Sequence, residues 1–251
     1  MIELKSKREV QLIQEAGKIL KRVFSVVKPL IVQGAATEAL DYAAEKVILE
    51  YGGEPAFKGY RGFPKTACIS LNEAVVHGIP DARRLKEGDI VSFDVGVKWN
   101  GFYADAARTW LVGGADPKKQ ALINTAKGSL DAVLAAYQPG WRIGDISETI
   151  QQYVEERGFQ LVRDYAGHGI GRQLHEDPQV PNYGKAGRGA KIEPGLVIAI
   201  EPMVTEGHYA VETLEDGWTV VTKDRKNASH YEDTIVFTED GFINLTGAVP
   251  D

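Results

Sequence analysis

The chain carries one cysteine in 251 residues, Cys68, so no internal disulfide can form and a reducing, cytoplasmic compartment is the natural setting. It also lacks an excess of basic residues. The net charge is -6, which leaves no electrostatic footprint for nucleic acid or anionic lipid. No stretch approaches the ~20 apolar residues of a membrane span, and the opening Met1-Ile2-Glu3-Leu4-Lys5-Ser6-Lys7 has no apolar run of the signal-peptide kind. No low-complexity tract or interdomain linker stands out. The rest is an ordinary globular composition, long enough to bury a sizeable core. Its mild negative field suits cations or a free amino terminus.

Ser6-Lys7-Arg8-Glu9 reads as a capping box, and Val10, Ile13, Ala16, Ile19, Leu20, Val23 and Phe24 follow at helical spacing. This predicts a first helix ending near Pro29. A second is expected from about Thr37 to Glu50, stopped by Gly52-Gly53. From Cys68 to Thr109 the pattern turns strand-like. It then restarts: Asp116-Pro117 reads as an N-cap with proline at the first helical position. Asp145-Ile146-Ser147-Glu148 opens a fourth helix that stops at Gly158, and strand-like segments run from Leu161 to Phe237. Each half, roughly 1–115 and 116–251, is helix, helix, then strands. A closer echo links them, since Gly88 and Gly195 each precede an apolar strand that ends in a carboxylate, Asp94 or Glu201, six residues on. The expectation is one α+β domain spanning 1–251, built from two similar halves.

Asn100-Gly101 between β-rich runs is a strong hairpin signal. If these two residues form the turn, Trp99 faces Phe102 and Gly96 faces Asp105. Asp94 then shares a face with Gly96 and lies diagonal to Asp105, about 7–8 Å away. Two ionised carboxylates on one buried face repel each other and are costly without a cation. Gly96 opposite Asp105 would leave open space for an ion. The plain alternative is one Asp capping the turn and the other in solvent, but Asp94 ends an apolar run, a poor place for a solvated group.

Glu201 follows the apolar run 196–200, Glu232 precedes a β-rich segment, and His168 sits among glycines in Gly167-His168-Gly169-Ile170-Gly171. Two Asp, two Glu and one His make an oxygen-rich donor set that suits Mn, Fe, Co or Zn better than a thiolate site would. A closed structural zinc site favours sulfur. Gly167–Gly171 lacks the dinucleotide fingerprint and the P-loop lysine, and His175-Glu176-Asp177 lacks the second histidine of the helical zinc motif. Cys68 has no surrounding pattern of a thiol protease and reads as a small apolar wall. His208 and His230 read as structural or surface residues.

The stretch from His168 to Tyr183, HGIGRQLHEDPQVPNY, resembles the signature of type I methionine aminopeptidases. Asn72 to Pro80 (NEAVVHGIP) and Ile200-Glu201-Pro202 fit the same family, so the resemblance covers essentially the whole chain. It implies the pita-bread fold, two pseudo-symmetric αβ halves around a curved antiparallel sheet. It implies two divalent metal ions held by Asp94, Asp105, His168, Glu201 and Glu232, with Glu232 bridging, and His77 and His175 as active-site histidines that bind no metal. Candidates for an apolar methionine slot are Tyr60, Phe63, Cys68, Leu174 and Trp218, with Phe57 at the rim. The chain begins almost at the catalytic domain, which points to the short bacterial form. It departs from many relatives at Leu174, where they carry Phe, at Phe57 and Phe63, where they often carry Cys and Tyr, and at Gly96, where some have Thr. These changes bear on pocket shape and metal preference and remove no ligand.

The implied mechanism is attack by a water activated by the metals. His175 donates to the carbonyl oxygen, His77 hydrogen-bonds the scissile amide nitrogen, and Glu201 shuttles a proton. The implied substrate is the N-terminal methionine of nascent polypeptides with a small second residue. The implied setting is cytoplasmic, as a monomer, with transient ribosome contact and no membrane or nucleic-acid partner. Competing readings are an Xaa-Pro dipeptidase or aminopeptidase P on the same fold, which usually carries a large N-terminal domain, and an inactive module of this fold that binds peptides. The second would have lost ligands, and all five candidates are present.

Overall fold

Ser6 starts the first helix as its motif predicts. Its side chain accepts from Glu9 N, and the Glu9 carboxylate reaches back to Ser6 N at 2.9 Å. In the computed structural model, which describes residues 2–247, helix α1 spans Lys7–Val27 and α2 spans Thr37–Glu50. Met1 and residues 248–251, which the sequence reading assigns to the same domain, lie outside the described residues. The strands β1 (Glu54–Pro55), β2 (Ala67–Leu71), β3 (Ala74–Val76), β4 (Ile90–Trp99) and β5 (Phe102–Leu111) follow. Two helices then return, α3 (Pro117–Ala136), capped by Asp116, and α4 (Ile143–Glu155).

The fourth helix opens earlier than the sequence reading places it. Asp145 sits inside its first turn and accepts from Arg142 N at 2.7 Å, so the carboxylate closes the helix end from within. The remaining strands are β6 (Gln160–Leu161), β7 (Ala166–Gly169), β8 (Glu176–Pro181), β9 (Val197–Ile200), β10 (Met203–Thr205), β11 (Val211–Thr213), β12 (Val220–Thr222), β13 (Ala228–His230), β14 (Asp233–Thr238) and β15 (Gly241–Asn244).

Two antiparallel sheets position the site. In the first, β4 lies between β5 on one side and β1 and β2 on the other. The second runs β15-β14-β9-β7-β8. The β4–β5 turn is Asn100-Gly101, with φ of 47° and 82°, the left-handed pair that a tight hairpin requires. Trp99 accordingly pairs with Phe102, and Gly96 with Asp105.

Alternation along β4 separates its two faces. Phe93, Val95 and Val97 join the core with Ile13, Leu20 and Phe24 of α1, where the Phe24 and Phe93 rings meet edge-on at 6.2 Å. Ser92, Asp94 and Gly96 point the other way. A second core packs Leu130, Ile146 and Ile150 of α3 and α4 against Ile198, Ile200 and Phe237. The two sheets meet where Ala107 of β5 bridges Glu232 just before β14, with Glu232 N donating to Ala107 O at 3.0 Å. Thr234 Oγ1 seals the junction, receiving from Asp105 N at 3.0 Å and donating to Asp105 O at 2.8 Å. Glu232 is thereby fixed beside Asp105.

Candidate metal centre

Asp94 on β4 and Asp105 on β5 are 8% and 4% exposed, and Glu232 at the sheet junction is 2% exposed. His168 comes from β7, and Glu201 from the residue after β9. One ligand atom from each of Asp105, His168 and Glu232 lies within 4.8 Å of the other two. His168 Nε2 is 3.7 Å from Glu201 Oε1. His168 Nδ1 lies 2.8 Å from Gly169 O. A carbonyl oxygen only accepts, so Nδ1 carries the proton and Nε2 turns a lone pair toward the carboxylates.

The cluster is electrostatically frustrated. Burial pushes the Asp94 carboxyl well above its ordinary range, and the charges of Asp105 and Glu201 add to the push. Asp105 is raised to about 7, chiefly by burial. Glu201 and Glu232 are raised for the same reason, with Asp105 the next cause for each. Asp94 Oδ1, Asp105 Oδ1 and Glu232 Oε1 are buried without a hydrogen-bond partner. Buried polar atoms are rarely left so. Four carboxyls and one imidazole, several with orphaned atoms, fit divalent cations of the harder and borderline kinds.

Gly96 is not the ion's vacancy that the sequence suggests. A Cβ there would lie 2.8 Å from the Phe57 ring and 2.9 Å from Ala56 Cβ. The reason is β1, which pairs with β4 at Pro55 and Val97 and lays Ala56 and Phe57 across Gly96, with Ala56 N donating to Gly96 O at 3.0 Å. Gly96→Thr should therefore destabilise the protein by about 1–3 kcal/mol, the usual cost of overpacking. Phe57→Ala in the same chain should recover much of that loss. Urea denaturation of the two single variants and the double variant measures the coupling, and strictly additive effects would remove the Phe57–Gly96 contact from the explanation.

The cluster lies in a cavity of about 500 Å³. Phe57, Tyr60, Phe63, Cys68, Leu174 and Trp218 all line it, as do His77, His175 and the five candidate ligands. Phe63 and Trp218 meet edge-on at 5.1 Å. Cys68 pairs with Asp94 across β2 and β4, and burial followed by the neighbouring carboxylates drives its thiol well above the ordinary range. It is a wall, not a thiolate.

His77 holds a left-handed φ of 60° and meets Trp218 and Tyr165 edge-on. Such backbone strain persists only where its surroundings enforce it. His175 opens toward solvent, yet its ring stacks on Tyr60 and lies 4.2 Å from that of His168. Burial of the ring, then the charges of His168, Arg61 and His77, lower its pKa to about 3. It is neutral at physiological pH, with Nδ1 2.9 Å from the Tyr60 hydroxyl.

The sequence reading leaves His230 as a structural or surface residue, and the structure places it inside rather than at the surface. It is 2% exposed and lines the cavity. Its Nε2 lies 3.6 Å from Glu201 Oε2 and 3.9 Å from Glu232 Oε2. Neither ring nitrogen has a hydrogen-bond partner. The available signal was parity, because His230 precedes Glu232 by two residues and shares its face wherever the backbone is extended. His208 is exposed and stacks on Tyr209. Met203 and Tyr165 also line the cavity, and nothing in the sequence marked them.

Comparison with known proteins places this geometry. Metallopeptidase family M24 matches residues 11–239. A methionine aminopeptidase of Clostridium perfringens is 50% identical over 98% of this chain and 99% of its own length. Methionine aminopeptidase 1 of Bacillus subtilis is 47% identical over 98% and 99%. The crystal structure of a methionine aminopeptidase from Thermotoga maritima superposes with a TM-score of 0.97 at 43% identity, covering 99% of this chain and all of that one. A prolidase from Pyrococcus furiosus shares the fold at a TM-score of 0.79 and 24% identity, and this chain spans 66% of its length. The α+β pita-bread architecture expected from the sequence is the one observed.

Proposed function

The chain belongs to metallopeptidase family M24, and from that premise we propose that it removes the N-terminal methionine of newly made polypeptides, using two divalent ions, Co, Mn, Fe or Zn, held by Asp94, Asp105, His168, Glu201 and Glu232. The observation that carries this reading is the set of buried carboxyl oxygens without partners, gathered with His168 Nε2 in a cavity walled by Cys68, Leu174, Phe63 and Trp218. That wall suits an unbranched thioether chain. Curated relatives bearing the name methionine aminopeptidase, matched over their full length, support it.

Bound dications supply Lewis acidity there, making water nucleophilic near neutral pH. The chain's own groups do the rest. A free α-amine would be held near Asp94. Glu201, its carboxyl poised by burial, takes a proton from water and delivers it to the leaving amine. His175 Nδ1 lies 2.9 Å from the Tyr60 hydroxyl; with the hydroxyl as donor, the His175 proton sits on Nε2, free to donate to the carbonyl oxygen as charge develops on it. His77 Nδ1 or Nε2 serves the scissile nitrogen. The domain acts as one catalytic unit of two similar halves, working as a monomer in the cytoplasm, with any ribosome contact transient. No helix among the described residues is long and apolar enough to cross a membrane.

The test is a metal-titrated assay on Met-Ala-Ser with Ala-Pro-Ala as the counter-substrate, read by product mass spectrometry. Release of free methionine that depends on added dication, with Ala-Pro-Ala untouched, is the expected result. Cleavage of Ala-Pro-Ala alone would turn the reading to an Xaa-Pro peptidase, and cleavage of neither would leave a binding module.

A further inference from the structure

The first nine residues contain a buried lysine that the chemistry above does not use. The Lys5 side chain is 2% exposed, and its Nζ lies 2.6 Å from Glu176 Oε2. Glu176 is itself largely covered, with 12% of its side chain exposed. The Lys5 backbone is anchored too, since its N donates to Gly195 O at 2.7 Å. A lysine buried to this extent is rare unless paired, and removing one partner of such a pair strands the other charge. The pair is therefore a committed tether between the start of the chain and a segment 171 residues away.

The far end of the tether is Glu176, the first residue of β8, which closes the loop that starts at Gly171 and carries Leu174 and His175 into the cavity. Glu176 uses both oxygens, one for Lys5 and the other, Oε1, to accept from Gln173 N at 3.0 Å. The loop also folds on itself, with Gly171 N donating to Gln173 O at 3.1 Å. A Cβ at Gly171 would meet Lys5 Cε, so a side chain there would require the end of the lysine to shift. A second strap lies alongside. Glu9, whose Oε2 closes the α1 cap, gives Oε1 to Arg172 Nη2 at 2.9 Å. The guanidinium of Arg172 rests 4.7 Å over the Phe102 ring.

We propose that the segment from Lys5 to Glu9 clamps the 171–176 loop, and that Lys5 is a positioning residue that acts through Glu176 to hold His175 in its working place. Lys5 does not line the cavity. It fixes a stretch that bears both His175 and a piece of the apolar wall, Leu174. Misplacement of a donor by about 1 Å can cost about 10²-fold in rate. A loop that lacks its tether samples such displacements. The role given to His175 rests on the proposed function, while the clamp itself does not.

The experiment therefore has two readouts. Lys5→Met, Lys5→Arg and the double variant Lys5→Met with Glu176→Gln are compared with the wild type by Met-Ala-Ser kinetics and by hydrogen exchange at residues 171–176. The double variant removes both charges together, so neither is left stranded as it would be in a single variant. Expected are faster exchange confined to this loop and a kcat about tenfold lower in Lys5→Met and in the double variant. KM should shift by less than about threefold, and Lys5→Arg should restore most of kcat. Unchanged loop exchange in the double variant overturns the clamp, even if the enzyme turns out to cleave another substrate. Wild-type kcat with a loosened loop overturns the positioning role alone. Faster exchange spread evenly over the chain marks ordinary destabilisation and also overturns it.

Discussion

Glu201→Gln lowers kcat on Met-Ala-Ser by about 10²–10⁴-fold, the range that a positioned proton-transfer group contributes, and leaves the fold as it was. The amide cannot take up a proton from water or pass one on, and it is a poorer ligand than a carboxylate. It is nevertheless close in shape to the protonated acid, the form that burial and the Asp105 charge favour at Glu201 in the metal-free protein. The Glu201 backbone oxygen, which accepts from Asn182 Nδ2 at 3.1 Å, is untouched by the change. The loss should therefore appear in kcat while circular dichroism and the melting temperature stay near wild type. A variant with wild-type kcat would take the proton-transfer role away from Glu201.

Asp105→Ala abolishes turnover by a different route, through the loss of metal. Asp105 shares the tightest group of ligand atoms with His168 and Glu232. Its charge also contributes to the raised carboxyls of Asp94, Glu201 and Glu232. Removing a supporting partner of a ligand already costs about 10–100-fold in affinity, so losing a ligand should cost at least that. Elemental analysis of the purified variant should find less than one ion in ten of the wild-type content. The backbone bonds to Thr234 persist in the alanine variant, and one buried acid fewer relieves repulsion among those that remain. The metal-free variant should consequently melt no lower than metal-free wild type at about pH 8. Full metal content in Asp105→Ala would remove it from the ligand set.

The parts of this site visible in the sequence are those governed by local geometry. Asn100-Gly101 set the hairpin register, and register alone placed Asp94 diagonal to Asp105 on one face. Ser6 with Glu9, and Asp116 with Pro117, set helix starts. Asp145 looks in the sequence like the opening residue of the fourth helix, yet its carboxylate caps from the third helical position. Longer-range features were hidden. No pattern of period two or 3.6 says that the short strand at Glu54–Pro55 will lay Phe57 over Gly96. Nothing local announces that Ala107 will bridge Glu232, the contact that joins the sheets and buries His230 between two carboxyls. The resemblance supplied which carboxylates belong together, and the fold supplies why they are forced to meet.

Buried acids that can ionise together only with dications imply a definite pH dependence. Asp105, ordinarily near 3.8, is held at about 7. Between about pH 4 and that value the folded, metal-free protein keeps a proton that the unfolded chain has released. Stability is fully present below the unfolded value and is lost as pH rises through the folded one, by up to about 1.4 kcal/mol per pH unit for each such proton. For a chain of this size that is about 2–4 °C in Tm per kcal/mol. The raised carboxyls of Asp94, Glu201 and Glu232 act with the same sign. Dications bind the deprotonated cluster, so their stabilisation grows as pH rises. The deciding measurement is the melting temperature from about pH 5 to pH 8, with chelator and with saturating Mn²⁺. A chelated protein whose Tm falls steadily across that range, and which Mn²⁺ restores most strongly at the alkaline end, is the predicted result. A chelated Tm that stays level or climbs with pH, and that Mn²⁺ does not move, would contradict it.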